Sequence, residues 1–373
     1  MSLPVNDRDG LFVSLSHEAN ELYLPRHVPR LASPTTPLNF LRNYVMPNLP
    51  VVIENAISHW PALTKWTKEY LRDVIGEKKV TVATTPNGYA DATVGDRFVL
   101  PHETQMTFEE FLCKLQHSKT GDEIVYVQNQ NSSFLEEFAE LLPDASEDIG
   151  WASEALGKRP DAVNFWMGSS RSVTSMHKDH YENLYGVVAG SKTFILHPPT
   201  DLPCIPYEDY VVARYVKNAE TGKFDIVDEN TSEEEETGIV EAEASADRPD
   251  LDLGAGLDLH TDEGSEIVTN EHESSDISSC KCPQSNAIPW IAIDPLNPDY
   301  TKYPAYRHAN RLTVTLNPGD LLYLPSLWFH HVQQSDDTIA VNFWYDMDYD
   351  IKYNYFKFVE QLVRSNHPTQ KPS

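Results

Sequence analysis

The sequence has few cysteines, no long apolar run and no basic excess, and each shortage excludes a class of protein. Four cysteines in 373 residues are too few for a disulfide framework, so packing must hold the core together. No run of 18 or more apolar residues occurs, which argues against a membrane-spanning helix. The segment 1–10 lacks the charged-then-apolar pattern of a signal peptide. We therefore expect a soluble protein of the cytoplasm, with the nucleus as a second location, and no membrane partner.

The charge balance is strongly acidic but uneven along the chain. Lys and Arg number 29 against 57 Asp and Glu, for a net charge of −28, which argues against a nucleic-acid partner. Residues 225–276 alone carry −18 of this charge, so the acidic balance says little about the substrate. The polar stretch 230–286, which contains no aromatic residue, is predicted to be a disordered acidic insertion in a surface loop. A tether without function and an interaction or regulatory segment are both open interpretations.

Helical and strand patterns alternate in the first part of the chain, whereas short β-runs dominate residues 162–350. Helices are predicted near 11–23, 38–46, 63–75, 107–116 and 133–142, and strands near 50–53, 79–83 and 124–128. Many short strands after a mixed start predict an α+β fold with a β-barrel or jelly-roll core and helical buttresses. We divide the chain into an N-terminal mixed region (1–125), the core (126–350, interrupted by the insertion) and a C-terminal helix and tail (351–373).

The C-terminal segment has an amphipathic helical pattern. Ile351, Tyr355, Phe358 and Leu362 recur at helical spacing and form one apolar stripe, which Phe356, Val359 and Val363 widen. This stripe either packs against its own domain or forms a homodimer contact.

Two separate segments offer ligands for a metal ion. In His177-Lys178-Asp179, residues i and i+2 of a strand face the same side, so the imidazole and the carboxylate converge. Much later, a strand and a proline turn lead to Trp328-Phe329-His330-His331, where either histidine could be the third ligand. Two histidines and one carboxylate form the facial triad of non-haem iron(II) oxygenases, which leaves open positions for cosubstrate and dioxygen.

The chain resembles the Jumonji-C (JmjC) family of 2-oxoglutarate oxygenases, and within it the lysyl (3S)-hydroxylases. The segments that carry the resemblance are 87–91, 151–158, 161–166, 173–199 and 316–350. It covers nearly the whole chain outside the acidic insertion. It implies a double-stranded β-helix (jelly-roll, cupin-like) core and the cofactors Fe(II) and 2-oxoglutarate. It also implies that His177, Asp179 and His330, rather than His331, are the catalytic metal ligands.

The resemblance further implies residues that hold 2-oxoglutarate. Lys192 is predicted on the second strand of a hairpin turned at Ala189-Gly190-Ser191 and would pair with the distal carboxylate of the cosubstrate. Because Phe194 and Leu196 share its face, a surface position is the weaker interpretation. The hydroxyls of Thr174 and Tyr126 would hold the same carboxylate, although either residue could be ordinary strand or core packing.

Two amides complete the implied site. Asn183 and Asn342 would line the iron and cosubstrate cavity, but a buried amide bonded to the backbone would look the same in the sequence.

The implied function is (3S)-hydroxylation of a lysine in a protein substrate, with the developmentally regulated GTP-binding proteins or their peptides as partners. The alternatives are an endopeptidase that cleaves histone tails at methylated residues, an N-methyl-lysine demethylase and a non-catalytic JmjC-like module. No protease motif and no chromatin-reader finger or basic patch occurs, and all the ligands are present. Glu182, Glu208 and Asp209 lie near the motifs, but the sequence does not select the carboxylate that receives the substrate ammonium.

Overall fold

The computed structural model describes most of the chain outside the acidic insertion. The described ranges are 8–33, 35–117, 123–130, 132–229 and 287–366. The predicted insertion, 230–286, lies outside these residues. No helix in the described ranges has the length and apolarity needed to cross a membrane.

The two longest helices lie at the two ends of the described chain, and strands alternate with shorter helices between them. The strands are β1 (Arg30–Leu31), β2 (Val51–Ile53), β3 (Lys79–Thr85), β4 (Tyr89–Ala90), β5 (Ala92–Val94), β6 (Arg97–Leu100), β7 (His102–Thr107), β8 (Ile124–Val127), β9 (Ala162–Gly168), β10 (Val173–Lys178), β11 (Tyr181–Ala189), β12 (Lys192–His197), β13 (Tyr207–Lys217), β14 (Phe224–Asp228), β15 (Ala287–Ile291), β16 (Leu312–Leu316), β17 (Leu321–Leu324), β18 (Phe329–Gln334) and β19 (Thr338–Asp346). The α-helices are α1 (Arg8–Leu22), α2 (Pro37–Phe40), α3 (Ala62–Lys65), α4 (Lys68–Ile75), α5 (Phe108–His117), α6 (Ser133–Glu136), α7 (Gly150–Leu156) and α8 (Ile351–Asn366). A π-helical turn (Leu41–Val45) and three 3-10 turns (Ala139–Asp144, Pro199–Cys204 and Pro304–His308) complete the structure.

Two sheets face each other, and the candidate functional residues lie between them. The large sheet has the order β1-β2-β17-β11-β19-β9-β8-β3-β7, and the small sheet has the order β16-β12-β18-β10-β4. A third sheet, β14-β13-β6-β5 with β15 added to β13, lies beside them. The antiparallel pairing of β10, β11, β12, β16, β17, β18 and β19 confirms the α+β fold with a double-stranded β-helix core.

The alternation of side chains along β9 explains the two sides of the large sheet. Val163 and Phe165 pack in the core that faces the helices, whereas Trp166 packs in the core between the two sheets. Because successive residues of a strand point to opposite faces, Asn164 shares the inner side with Trp166. The interior of the β-helix is therefore lined by polar and aromatic groups together.

The N-terminal mixed region does not form a separate layer of structure. It provides β2, β3 and β7 to the large sheet and β4 to the small sheet. The domain limits at 125 and 350 stay predictions, but the first of them falls inside β8, in the middle of a continuous sheet.

The predicted hairpin around Gly190 is wrong. β11 pairs with β17 and β19 in the large sheet, whereas β12 pairs with β16 and β18 in the small sheet, so the turn joins the two sheets. Gly190 has a φ of 68°, and a Cβ there would lie 2.4 Å from the Thr338 hydroxyl. This tight crossing needs glycine for both reasons.

The C-terminal helix is confirmed, but part of its predicted stripe faces outward. Ile351, Tyr355 and Phe358 are exposed by 63%, 67% and 57%, while Phe356 and Glu360 are buried against the core. The helix therefore docks through the residues that widen the stripe, with Phe356 in the core and Val359 packed against it.

Candidate metal centre and cosubstrate pocket

The three predicted metal ligands come together at one end of the β-helix. His177 lies near the end of β10, Asp179 follows that strand directly, and His330 lies on β18. β10 and β18 are antiparallel neighbours with His177 opposite His330. The ligand atoms of the three side chains lie within 4.8 Å of one another, and no other such group of His, Cys, Asp or Glu occurs in the described ranges.

The geometry leaves the correct nitrogen of each histidine free to bind a metal ion. Nδ1 of His177 donates to the Ser175 carbonyl at 2.9 Å, and Nδ1 of His330 donates to the Trp328 carbonyl at 3.0 Å. A carbonyl only accepts, so Nδ1 carries the proton and Nε2 keeps its lone pair. Both Nε2 atoms lie 3.5 Å from the Asp179 carboxylate. Ligands on one face of an octahedral ion lie roughly 3 Å apart, so this set fits a divalent metal.

Orientation on β18 distinguishes the two histidines of the second motif. Burial, followed by the nearby His177, lowers the pKa of His330 to about 4, which keeps its imidazole neutral. His331 points to the other face of β18, where it is also buried and both of its ring nitrogens have no hydrogen-bond partner in the described ranges. It is absent from the ligand cluster, which agrees with the assignment of His330.

Lys192 lies inside the β-helix, not on its surface. Its side chain is almost fully buried, and its ammonium lies 5.2–5.5 Å from the ring centres of Tyr126, Trp166 and Tyr185. Nζ donates to the Tyr126 hydroxyl at 2.8 Å, and no carboxylate of the described residues pairs with it. Burial lowers the pKa of Lys192 to about 7. A buried ammonium without a counter-ion fits an anionic ligand.

The two predicted hydroxyls lie at the same place as this ammonium. The Tyr126 hydroxyl is hydrogen-bonded to Lys192 and to the Thr174 hydroxyl, so the three polar groups form a continuous hydrogen-bonded series. Thr174 lies on β10, three residues before His177, which places this series beside the metal ligands. The structure therefore brings these three predicted residues together.

The two predicted amides also meet, and a third one joins them. Asn342 donates to the Asn183 carbonyl oxygen at 3.1 Å and accepts from the Trp166 indole at 2.7 Å. Asn164, which the sequence analysis missed, lies opposite Asn342 on β9. Both polar atoms of its fully buried amide have no partner among the described residues. Its spacing of two from Trp166 is the signal that could have placed it on the inner side.

Two further groups beside His177 were not predicted. The ring of Trp290, on β15, lies parallel to the His177 imidazole with 6.5 Å between centres. Asp91, at the turn between β4 and β5, is half-buried and interacts electrostatically with His177. Burial, with a contribution from Glu103, raises the pKa of Asp91 to about 6. Asp91 ends the segment 87–91 that carries the family resemblance, but no role at the site was predicted for it or for Trp290, because segments distant in the chain bring them to the site.

Two of the three carboxylates considered earlier for a substrate ammonium already have structural roles, and the third is at the surface. Glu182 is occupied by the Tyr323 hydroxyl and by the backbone and hydroxyl of Ser326. Glu208 accepts from Lys302, Tyr303 and Tyr210, and Asp209 is exposed.

Comparisons with known proteins agree with this geometry. The profile of the cupin-like domain family matches residues 37–351. The human bifunctional peptidase and (3S)-lysyl hydroxylase JMJD7 is 44% identical over 348 residues, which are 93% of this chain and 93% of that protein. The Arabidopsis thaliana lysine-specific demethylase JMJ32 is 37% identical over 365 residues, which are 94% of this chain and 90% of that protein. The Dictyostelium discoideum JmjC domain-containing protein E is 32% identical, with shares of 96% and 95%.

Proposed function

This chain belongs to the cupin-like domain family and, within it, to the JmjC proteins, and from that membership we propose an Fe(II)- and 2-oxoglutarate-dependent lysyl hydroxylase. The observation that carries the proposal is the joint presence of the facial triad and a buried, uncompensated lysine inside one β-helix. A metal site alone would fit many reactions. The ammonium of Lys192 adds a place for the dicarboxylate cosubstrate.

The residues divide the work in this proposal. His177, Asp179 and His330 would hold Fe(II) through the free nitrogens and the carboxylate described above. Lys192, Thr174 and Tyr126 would bind the distal carboxylate of 2-oxoglutarate, while Asn183 and Asn342 would line the cavity between. When bound, iron and 2-oxoglutarate supply the oxidation that places one oxygen atom of dioxygen on an unactivated C–H bond, with succinate and carbon dioxide as coproducts.

The protein's own contribution is orientation and exclusion of water. The indole of Trp166 fixes the Asn342 amide, and the ring of Trp344 stacks on Tyr181 with 5.0 Å between centres. These rings surround the cavity and keep bulk water from the reacting atoms. His177, 23% exposed, is more open than His330 at 6%, so the substrate would approach from the His177 side.

The substrate that we propose is a lysine side chain of a developmentally regulated GTP-binding protein, hydroxylated at C3. The proposal is supported by the similarity to the human (3S)-lysyl hydroxylase. Demethylation of N-methyl-lysine would use the same site chemistry and is supported by the more distant plant relative. Neither described cysteine supports the peptidase part of the human protein's name. Cys113 is exposed on α5, and burial, then Asp201, raises the pKa of the Cys204 thiol to about 12.

Mass spectrometry of a reacted peptide tests the proposal. Protein loaded anaerobically with Fe(II) receives 2-oxoglutarate, dioxygen and a lysine-containing peptide from such a GTP-binding protein. We expect a gain of about 16 Da on the lysine, with stoichiometric succinate, and loss of both products in Asp179→Ala. Asp96→Ala, an exposed carboxylate of the β5–β6 turn, is the matched control and should keep them.

Other products would reject the hydroxylase assignment. A loss of about 14 Da from an N-methylated peptide, without oxidation of the unmodified one, would indicate demethylation. Chain cleavage that proceeds without 2-oxoglutarate would indicate a peptidase.

We also propose a homodimer through α8. The exposed apolar stripe of Ile351, Tyr355 and Phe358 supports it, because monomers rarely expose several large apolar side chains on one helix face.

A further inference from the structure

The turn that carries Asp91 is fixed to the metal-binding strand β10. The amide of Val173 donates to the Gly88 carbonyl at 2.9 Å, and the Ser175 hydroxyl donates to the Asp91 carbonyl at 2.6 Å. Ser175 is two residues before the metal ligand His177, to whose Nδ1 its carbonyl is bonded. Asp91 is therefore held in a constant position relative to the metal centre.

The backbone of Asp91 lies in the left-handed region, with a φ of 54°. Aspartate and asparagine enter this region more readily than other non-glycine residues, so the turn accepts either side chain. The two hydrogen bonds from β10 hold the turn in this conformation.

The Asp91 carboxylate lacks a paired cation. Its hydrogen-bond partner is the Gln128 amide at 3.4 Å, and no Lys, Arg or His of the described ranges lies within salt-bridge distance of it. Arg214 and His177 act on it only at longer range, where Glu103 opposes them. A half-buried carboxylate with one weak partner is unfavourable unless a cation arrives from outside.

The aromatic ring of Trp290 also lies beside the His177 imidazole. Trp290 packs against Phe98 with 4.4 Å between ring centres and lies parallel to His177. Its indole Nε1 is buried without a partner among the described residues. Trp290 and Asp91 are thus both related to the His177 imidazole, and an aromatic ring together with a carboxylate is a combination that binds organic ammonium groups.

We propose that Asp91, held by Gln128, is the subsite that receives the ammonium of the substrate lysine, with Trp290 packed beside the neighbouring His177. The inference rests on the proposed lysyl hydroxylase function and identifies its specificity-determining residue. C3 of lysine is the first side-chain carbon, so the ammonium lies several bonds further along than the reacting carbon. A group next to His177, not on the metal itself, is where that ammonium would be bound.

A binding experiment with matched peptides tests the subsite without requiring turnover. The full chain is loaded with Mn(II) and N-oxalylglycine, an unreactive analogue of 2-oxoglutarate, and titrated with the lysine peptide used above. The same peptide with norleucine lacks the ammonium group, and its side chain ends in a methyl group at the Cε position. In the natural protein we expect the norleucine peptide to bind on the order of 10- to 100-fold more weakly, since a hydrogen-bonded charge is removed.

Asp91→Asn should abolish this preference, so that both peptides bind with equal affinity. Asparagine is the closest isostere, and it tolerates the left-handed conformation at this position. Asp96→Asn changes the net charge equally in the same hairpin and should keep the preference. Gln128→Leu is a second variant, which should reduce the preference because it removes the group that orients the carboxylate.

The outcomes separate this inference from the proposed function. Equal binding of both peptides by the natural protein, or an unchanged preference in Asp91→Asn, overturns the subsite. An Asp91-dependent preference without any oxidised lysine would support the subsite and refute the hydroxylase. Mn(II) and N-oxalylglycine affinities equal to those of the natural protein show that the variants retain the metal centre.

Discussion

Lys192 is buried far more deeply than lysine residues usually are. Lysines are rarely buried without an anion, and this one lies among three aromatic rings with a single hydroxyl partner. Its pKa of about 7 is far below the ordinary 10.5, because burial disfavours the charged form. The deprotonation of one side chain therefore falls in the accessible pH range.

The affinity for 2-oxoglutarate should fall as the pH rises above about 7. The dicarboxylate binds the ammonium form, so binding above this pH requires proton uptake and loses up to about tenfold per pH unit. The measurement is an anaerobic titration of the Mn(II)-loaded protein with 2-oxoglutarate between pH 6 and 9. Lys192→Arg should bind with a smaller pH dependence, since arginine stays charged. Identical pH profiles for the two proteins would contradict this role of Lys192.

The lowered pKa of Lys192 also makes the stability of the ligand-free protein depend on pH. Between about pH 7 and 10.5 the unfolded chain keeps a proton on Lys192 that the ligand-free folded protein has lost. Its contribution to the free energy of unfolding therefore increases with pH in this window.

Several site residues were accessible from the sequence, but others were not. His177, Asp179, His330 and Lys192 carry motifs with fixed spacing and chemical character. Asp91 lies in a segment that carries the family resemblance, but its place beside His177 depends on contacts with Ser175 and Gln128 that only the folded chain creates.

At the scale of elements, α8 is attached to β10 through a buried cluster of charged side chains. Glu360 is almost fully buried, and Lys178, Lys357 and Arg364 lie 3.9, 2.5 and 3.6 Å from its oxygens. Burial alone would raise the pKa of Glu360, but the three cations lower it on balance. Lys178 is the middle residue of the His-x-Asp motif, and it points away from the metal site, as predicted.

Glu360→Gln should lower the free energy of unfolding by roughly 1–3 kcal/mol, because it removes a buried carboxylate that is close to three cations. Urea denaturation followed by circular dichroism measures the change. Glu220→Gln, in the exposed turn between β13 and β14, should leave the stability unaltered. Equal stabilities of the Glu360 variant and the natural protein would show that α8 docks by apolar packing alone.

The wrong hairpin and the outward stripe have a common cause at this scale. Periodicity shows that a segment is a helix or strand, but not which neighbour it pairs with. β12 prefers the small sheet because β16 and β18, more than a hundred residues later, cover both of its edges. On α8, Ile351, Tyr355 and Phe358 are exposed because Phe356 packs in the core and Glu360 pairs with Lys178 of β10.

For the whole molecule, the outward stripe of α8 leads to a prediction about assembly. Phe358→Asp should convert a homodimer into a monomer, since burying a carboxylate in an apolar contact is costly. Light scattering coupled to size-exclusion chromatography measures the mass, with Glu220→Gln as the dimeric control. A natural protein that is already monomeric at high concentration would refute the dimer.

The sequence by itself predicted the α+β class and the His-x-Asp pair, because ligand chemistry and local periodicity are properties of short segments. Its resemblance to the JmjC family added His330 and Lys192 to the predicted site. Only the tertiary structure decided that β11 and β12 lie in different sheets, that α8 exposes its stripe, and that Asp91 and Trp290 meet at His177. These features depend on pairings between segments far apart in the chain. Such pairings are selected by the packing of the complete fold, and no local pattern records them.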